Sequence, residues 1–264
     1  MKHLIRDLLV NSIWFSTVAR RYASRHRQHG PLVRILCLHD VQDRDWFSNL
    51  VANIKSKYHI ISPSDFHNRK FNPDKINILL TFDDGYQSWI DVVLPILDEH
   101  NIKVLFFISS GLLDIADDKV EVEKFMKQNL CIKPRQPLTW EGVDTLVASG
   151  HTIGGHTVNH KDLTTLSLAD LSREINDDKT AFSTKLNIEL SDFAYPFGTK
   201  RHFNDQVRQQ AKTAGYSYIY SAIAGFVADT NTDIPRLLLE NRQSISQVNK
   251  WIEGAYDVFC MLKS

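Results

Sequence analysis

The chain has 264 residues, of which 43% are hydrophobic, 23% charged and 10% aromatic. This composition is that of a globular protein and excludes a disordered or fibrous chain. The 31 basic and 31 acidic side chains cancel, so no overall charge attracts nucleic acid, and we expect no nucleic-acid partner. The cysteines Cys37, Cys131 and Cys260 form no CxxC pair, which argues against a disulfide framework and a thiolate metal cluster.

Residues 1–30 predict an amphipathic helical extension. Apolar residues recur at helical spacing between Leu4 and Val18, and a basic run follows from Arg20 to Arg27. Such a helix usually packs on its own domain or a second subunit, and membrane association through it is the alternative. Polar residues interrupt the apolar stretch, so we expect neither a secretory signal nor a membrane span. The expected location is cytoplasmic, with peripheral attachment at the inner face of the membrane as the alternative.

Residues 31–264 predict one α/β catalytic domain. Short apolar runs alternate with helix-length segments. The runs are 32–38, 76–82, 103–109, 151–155, 191–197, 216–222 and 235–240, and the helical segments include 87–100, 140–149, 168–186 and 204–214. This repeat predicts a (β/α) barrel of about seven parallel strands, and in such barrels functional side chains lie at the carboxyl ends of the strands. The segment 111–137 does not fit the repeat and is predicted to be an insertion.

Two adjacent acids follow the second apolar run, in the sequence TFDDGY at residues 81–86. Asp and Gly are common in turns, so a simple turn is one interpretation. Asp83 and Asp84 come directly after a buried strand, however, and an unpaired charge there is costly. A metal ion or another cation as partner is therefore the better explanation.

Two histidines lie four residues apart in the sequence GGHTVNH at residues 154–160. On a helical turn, side chains at this spacing share a face, so His156 and His160 could bind one ion, although a pair of surface histidines is the alternative. One carboxylate and two imidazoles leave coordination positions open, as a catalytic metal site requires. The set suits Zn²⁺ and also accepts other divalent ions. The second carboxylate could then take a proton from water beside the metal.

Together, these two segments resemble the first two motifs of the polysaccharide deacetylase family, also called the NodB-homology domain or carbohydrate esterase family 4. The resemblance implies that Asp83 is the general base and that Asp84, His156 and His160 hold one divalent metal ion. It also implies that Thr157 supports the histidine loop through its hydroxyl. The family fold, a distorted (β/α) barrel with fewer than eight strands, agrees with the number of apolar runs.

The sequence FAYPFG at residues 193–198 resembles the third motif of the family. The resemblance implies that Tyr195 forms a wall of the substrate groove and that its backbone N–H helps to hold the oxyanion. Phe197 and Tyr86 are predicted to contact the substrate as well. An aromatic strand end followed by a proline turn is the alternative for this segment.

The sequence DIPRLL at residues 233–238 resembles the fourth motif of the family. This resemblance implies that Arg236 pairs with Asp83 and orients it. The usual C-terminal Leu-x-His, which supplies the general acid, is missing. Instead, ILCLHDV at residues 35–41 resembles the N-terminal strand of a rearranged subset of the family, in which the acid histidine comes first in the chain. We therefore predict that His39 is the general acid.

These residues predict a metal-dependent N-deacetylase that hydrolyses the acetamide of an amino sugar. The expected partner is an N-acetylated amino sugar or oligosaccharide, in a surface glycan or in its lipid-linked or nucleotide-linked precursor. Two alternatives stay open: an amidase that acts on a non-sugar C–N bond, and a catalytically silent glycan-binding module. A binding module needs no base beside the metal, so the presence of Asp83 and Arg236 favours an enzyme.

Overall fold

A computed structural model describes residues 13–257, and its central element is a curved parallel sheet. The strands are β1 Val33–Leu38, β2 His59–Ile60, β3 Asn77–Asp84, β4 Leu105–Ile108, β5 Thr152–Gly155, β6 Asp192–Ala194, β7 Tyr218–Tyr220 and β8 Leu237–Leu238. Their order is β7-β6-β5-β4-β3-β1-β8, and the two-residue β2 pairs with β3. Every predicted apolar run forms a strand, and only β2 was not predicted.

A short link between the two edges closes the sheet. Beyond β7, the Ser221 N–H donates to the Ile234 carbonyl at 2.9 Å, and the Ile234 N–H donates to the Ile219 carbonyl at 2.8 Å. The chain then continues into β8, which pairs in parallel with β1. The sheet therefore returns to its first strand, which confirms the prediction of a distorted (β/α) barrel.

The helical segments predicted at 87–100, 140–149, 168–186 and 204–214 are confirmed. The sheet is surrounded by α-helices. They are α1 Ile13–Arg27, α2 Arg44–Lys57, α3 Pro63–His67, α4 Leu94–Glu99, α5 Ser110–Asp114, α6 Lys119–Phe125, α7 Trp140–Ala148, α8 Leu168–Leu186, α9 Asp205–Thr213 and α10 Ile245–Ile252. Side-chain caps set several of the starts, as where the Ser167 hydroxyl accepts from the Asp170 N–H at 3.2 Å. The segment 111–137, for which no helix was predicted, contains most of α5, all of α6 and the π-helical turn Met126–Leu130.

Alternate residues of the central strands face opposite sides of the sheet. Leu36 and Phe82 belong to the large core between sheet and helices, whereas Ile35 and Leu79 belong to a smaller cluster inside the barrel. Because side chains alternate along a strand, the odd-numbered positions that follow in β1 and β3 also point into the barrel. Asp83 is therefore directed inward, in a strand buried along its whole length.

The described part of α1 packs against the barrel. The rings of Tyr22 and His26 lie 5.9 and 5.6 Å from the ring of Phe226, measured between centroids. Beside Phe226, the buried guanidinium of Arg34 donates to both carboxylate oxygens of Asp257. Residues 1–12, predicted as the start of the helical extension, lie outside the described residues. Between residues 13 and 257, no helix is long and apolar enough to cross a membrane.

His151 is buried and directly precedes β5. Its Nδ1 accepts the Val104 N–H at 3.2 Å, so the proton of the neutral ring is on Nε2. Burial lowers the pKa of His151 to about 4. A second proton would remove the acceptor of the Val104 N–H, so the folded state favours the neutral ring.

Neutral His151 contributes to the free energy of unfolding. We expect this contribution to be fully present above pH 6.5 and to be lost as the pH falls to about 4. The loss is roughly 2–3 kcal/mol. His151→Asn keeps an acceptor and removes the titration, so its urea-unfolding free energy should fall less between pH 7 and pH 4. His59→Asn, at an exposed imidazole, is the matched control. Equal acid sensitivity in the His151 variant and the wild type would contradict this assignment.

Candidate active site

The polar residues singled out in the sequence converge at the carboxyl ends of the strands. Asp83 and Asp84 end β3, and His156 comes directly after β5. Between these strands, β4 pairs with both of them, which brings the two strand ends to one edge of the barrel. They line a cleft of about 700 Å³, together with His39 and Arg236.

Three buried side chains form a candidate metal centre. The Oδ1 atom of Asp84 lies 3.6 Å from His156 Nε2 and 3.5 Å from His160 Nε2. Oδ1 is fully buried and has no hydrogen-bond partner among the described residues. A buried carboxylate oxygen without a partner is costly, and a cation between the three donor atoms would remove that cost. The donor set therefore fits a divalent metal ion, with neighbouring positions open to the cleft.

The outer nitrogens of both rings fix the tautomer that metal binding needs. His156 Nδ1 lies 2.8 Å from the Ala194 carbonyl, and His160 Nδ1 lies 3.2 Å from the Asn129 carbonyl. A carbonyl oxygen can only accept, so each Nδ1 carries a proton. Both Nε2 atoms therefore direct lone pairs toward Asp84, the usual arrangement of histidine ligands and their outer partners.

The two histidines converge through a loop, and the predicted helical turn between them is wrong. Residues 156–162 contain bends and no helix. Thr157 and His160 have φ of 67° and 51°, a conformation that non-glycine residues rarely adopt and that is often found at functional sites. The Thr157 hydroxyl accepts the His160 N–H at 3.0 Å, so it braces the loop.

Tyr86 holds the metal-facing carboxylate. Its hydroxyl donates to Asp84 Oδ2 at 2.6 Å, which leaves Oδ1 as the oxygen directed at the two histidines. Burial alone would raise the pKa of Asp84, but the facing imidazoles lower it below its usual range. Tyr86 is buried, and its hydroxyl is already engaged. The structure thus places Tyr86 at the cleft as support for Asp84, and its contact with the substrate stays a prediction.

Asp83 and Arg236 form a buried bidentate ion pair. The guanidinium donates to Oδ1 at 2.6 Å and to Oδ2 at 2.7 Å. The Nε atom of Arg236 donates to the Ser221 carbonyl at 3.0 Å, which fixes the plane of the fork. Burial would raise the pKa of Asp83, but the guanidinium holds it below its usual range. Asp83 is therefore an ionised, oriented carboxylate in the same cleft as the three metal-binding candidates.

His39 lies in this cleft, directly after β1. One of its ring nitrogens, an oxygen of Asp83 and the sulfur of Cys37 lie within 4.8 Å of one another. The indole of Trp89 donates to the His39 carbonyl at 2.9 Å and fixes the backbone there. The structure thus brings the predicted general acid and the predicted general base together.

Tyr195 and Phe197 both line the cleft, and Phe197 is the more exposed of the two. The Tyr195 N–H donates to the Tyr220 carbonyl at 3.1 Å, its hydroxyl donates to Asp233 at 3.0 Å, and its ring is 1% exposed. The amide implied as an oxyanion donor is therefore occupied within the sheet. Phe197 is 36% exposed and packs edge-on against His160 with 4.6 Å between ring centroids. Among the described residues, none accepts a hydrogen bond from the Phe197 N–H.

Asp178, on α8, is a supporting residue that sequence reasoning missed. Its Oδ2 accepts the His156 N–H at 3.1 Å and its Oδ1 accepts the Ser110 N–H at 3.0 Å. It thereby fixes the backbone at a metal-binding candidate. Asp178 lies on the buried side of a long amphipathic helix, far from the motifs in sequence. A charged residue at an apolar position of that helix was the one available signal.

The polysaccharide deacetylase family model matches residues 70–219. The chain belongs to the polysaccharide deacetylase family. The matched segment contains Asp83, Asp84, His156 and His160, whereas His39 and Arg236 lie outside it.

Relatives and solved structures agree with this assignment. The chain is 24% identical to the putative polysaccharide deacetylase YxkH of Bacillus subtilis over 54% of the chain and 44% of that protein. It is 24% identical to the peptidoglycan-N-acetylmuramic acid deacetylase PdaA of the same organism over 58% of the chain and 49% of that protein. The chain thus spans about half the length of either relative.

Two solved structures share the fold. The deacetylase PplD of Streptococcus pyogenes, in complex with acetate, aligns with a TM-score of 0.69 at 21% identity over 84% of this chain and 99% of that one. A de-N-acetylase from Aggregatibacter actinomycetemcomitans aligns with a TM-score of 0.68 at 19% identity over 83% and 99%. Identities this low show a common fold, so the chemistry is argued from the cleft itself.

Proposed function

We propose that this family member is a metal-dependent N-deacetylase that removes the acetyl group from an N-acetylated amino sugar. The observation that carries the proposal is the side-by-side placement of two differently partnered carboxylates. Asp84 presents an unpartnered buried oxygen to two imidazole nitrogens, whereas Asp83 is forked by Arg236. One acid is thus set to bind a cation and the other to accept a proton.

Asp84, His156 and His160 would hold the metal ion, for which Zn²⁺ is the best match to a carboxylate and two imidazoles. When bound, such an ion polarises the acetyl carbonyl and acidifies water in the cleft. The protein residues would supply proton transfer and orientation. A glycan-binding module would need neither the buried Asp83–Arg236 pair nor a histidine beside it.

In this proposal Asp83 accepts a proton from the water that attacks the acetyl carbon, and Arg236 keeps the carboxylate aimed. His39, on the same side of the cleft as Asp83, protonates the leaving nitrogen, because an amine leaves poorly without a proton. The free N–H of Phe197 would donate to the developing oxyanion, the role first assigned to Tyr195. The Phe197 ring would form the groove wall.

Acetate release from a panel of N-acetylated sugars, measured together with bound metal, tests this function. The panel should contain free oligosaccharides, lipid-linked and nucleotide-linked N-acetylhexosamines, because we propose a surface glycan or such a precursor as substrate. We expect metal-dependent acetate release from at least one member. Turnover of non-sugar acetamides alone would favour the amidase alternative. A metal-loaded protein inactive on the whole panel would contradict the proposal.

His39→Ala should lower turnover of an amide by about 100-fold or more, the usual range for loss of an acid or base. It should lower turnover of an activated acetate ester much less, because a phenoxide leaves without protonation. Protein loaded with one equivalent of metal should keep it, since His39 is not one of the three residues at the Asp84 site. The measurement is kcat for both substrates in the same preparation. Equal losses on amide and ester would remove the general-acid role from His39.

A further inference from the structure

Three chemically reactive side chains lie on one inner face of the barrel beside the metal centre. In the parallel pairing of β1 with β3, Cys37 is opposite Thr81 and Leu38 is opposite Phe82. The next positions along are His39 and Asp83, and alternation places them on the same face as Cys37. Strand geometry thus places the Cys37 thiol and the His39 imidazole two residues apart on one chain segment, with the Asp83 carboxylate beside them on the neighbouring strand.

The spacing of their donor atoms suits one metal ion. The Cys37 thiol donates a hydrogen bond to Asp83 Oδ2 at 3.4 Å. The Cys37 sulfur and an Asp83 oxygen lie within 4.8 Å of a His39 ring nitrogen. Zn²⁺ binds sulfur at about 2.3 Å and oxygen or nitrogen at about 2.0–2.2 Å. Tetrahedral angles then place the sulfur and oxygen ligands roughly 3.5 Å apart. The observed sulfur–oxygen distance already has this value.

We propose that Cys37, His39 and Asp83 form a second cation site. The site is selective for soft divalent ions such as Cd²⁺, and Zn²⁺ binds there once the site at Asp84 is filled. Binding replaces the thiol proton, which leaves to solvent, by a sulfur–metal bond. Soft thiolate ligands favour these ions over Mg²⁺ and Ca²⁺. The guanidinium of Arg236 stays on Asp83 and repels a cation, so this site is weaker than the one at Asp84.

The consequence is inhibition by the same class of metal that the enzyme needs. An ion at this second site takes one lone pair of Asp83, on an oxygen that Arg236 also contacts, and one of His39, the two groups assigned to proton transfer. One equivalent of metal then supports activity, and a further equivalent stops it. This kinetic consequence rests on the proposed function, whereas binding at the second site does not.

Cadmium binding tests the site through its thiolate charge-transfer absorbance. The full chain carrying Cys131→Ser and Cys260→Ser keeps Cys37 as its one cysteine and is first loaded with one equivalent of Zn²⁺. We expect Cd²⁺ titration to produce a sulfur-to-cadmium band that saturates at one equivalent. The band reports Cys37 alone, because the site at Asp84 has no sulfur ligand.

Adding Cys37→Ser should abolish the band, and adding His39→Ala should weaken Cd²⁺ binding by about tenfold or more. The Cd²⁺ concentration that halves acetate release should be about tenfold higher for the Cys37→Ser protein than for its parent. Each protein is compared with its own uninhibited rate. Absence of a band with Cys37 intact, or an unchanged band in Cys37→Ser, would overturn the site. A chain inactive on every substrate would refute the proposed function. The absorbance titration would still decide whether the second cation site exists.

Discussion

Asp83→Asn is expected to lower kcat/KM for acetate release by about 100-fold or more while the metal stays bound. Asparagine has nearly the same shape but cannot take a proton from water. Asp83 is not one of the three residues around the candidate metal position, so metal content should stay at about one ion per chain. Acetate release and metal analysis on the same preparation measure both quantities. Activity close to that of the wild type would transfer the base role to another group.

This variant also leaves the guanidinium of Arg236 buried without a counter-ion. The side chains of the pair are 1% and 5% exposed, and loss of one partner of such a pair costs about 3–5 kcal/mol of unfolding free energy. The double variant Asp83→Asn/Arg236→Met removes the buried charge and should recover part of that stability without recovering activity. Urea unfolding of the three proteins separates loss of the base from loss of the fold.

His156→Ala and His160→Ala should each empty the metal site and abolish acetate release. Each replacement removes one of two nitrogen ligands that are preset by carbonyl acceptors on the far side of the ring. Loss of an outer partner alone costs about 10–100-fold in metal affinity, so loss of a ligand costs at least that much. Metal bound per chain after dialysis against a weak chelator measures the effect.

His202→Ala is the matched control for this pair. Its ring lies 5.0 Å from that of Phe197, between centroids, so it is near the cleft. Its Nδ1 is 2.9 Å from the Thr199 hydroxyl, and it is not among the clustered candidate ligands. This variant should keep its metal. Full metal occupancy in both His156→Ala and His160→Ala would place the metal elsewhere.

Apolar runs predicted the barrel because parallel strands buried on both faces have few polar positions. Only β2 was not predicted among the described strands, because a strand of two residues is too short to produce a pattern. The helices within 111–137 were missed because short, strongly charged segments such as α6 have weak periodicity. Their position depends on packing into the main core, to which Leu112, Val122 and Phe125 belong, and a local pattern does not encode such packing.

The candidate metal-binding residues could be predicted because their identities and spacing are local. The supporting contacts could not, since the carbonyls of Ala194 and Asn129 carry no side-chain signal. Tyr195 was assigned to the groove through the resemblance of its segment to the third motif, and Phe197 was predicted as a further substrate contact. In the structure the chain turns through positive φ at Phe197 and Gly198, 59° and 57°, and Phe197 is the more exposed of the two aromatic residues.

The ion-pair partner of Asp83, the proposed general base, comes from the far end of the barrel sequence. Arg236 lies 153 residues after Asp83, at the start of the strand that closes the sheet against β1. Contacts between such distant segments form late, because the entropy of closing the long loop must be overcome first. Until β8 pairs with β1, the carboxylate of Asp83 has no guanidinium beside it. We therefore expect Asp83 to gain its ion pair only when β8 pairs with β1, so that a chain folded only as far as β7 holds the candidate metal-binding residues without an oriented carboxylate beside them.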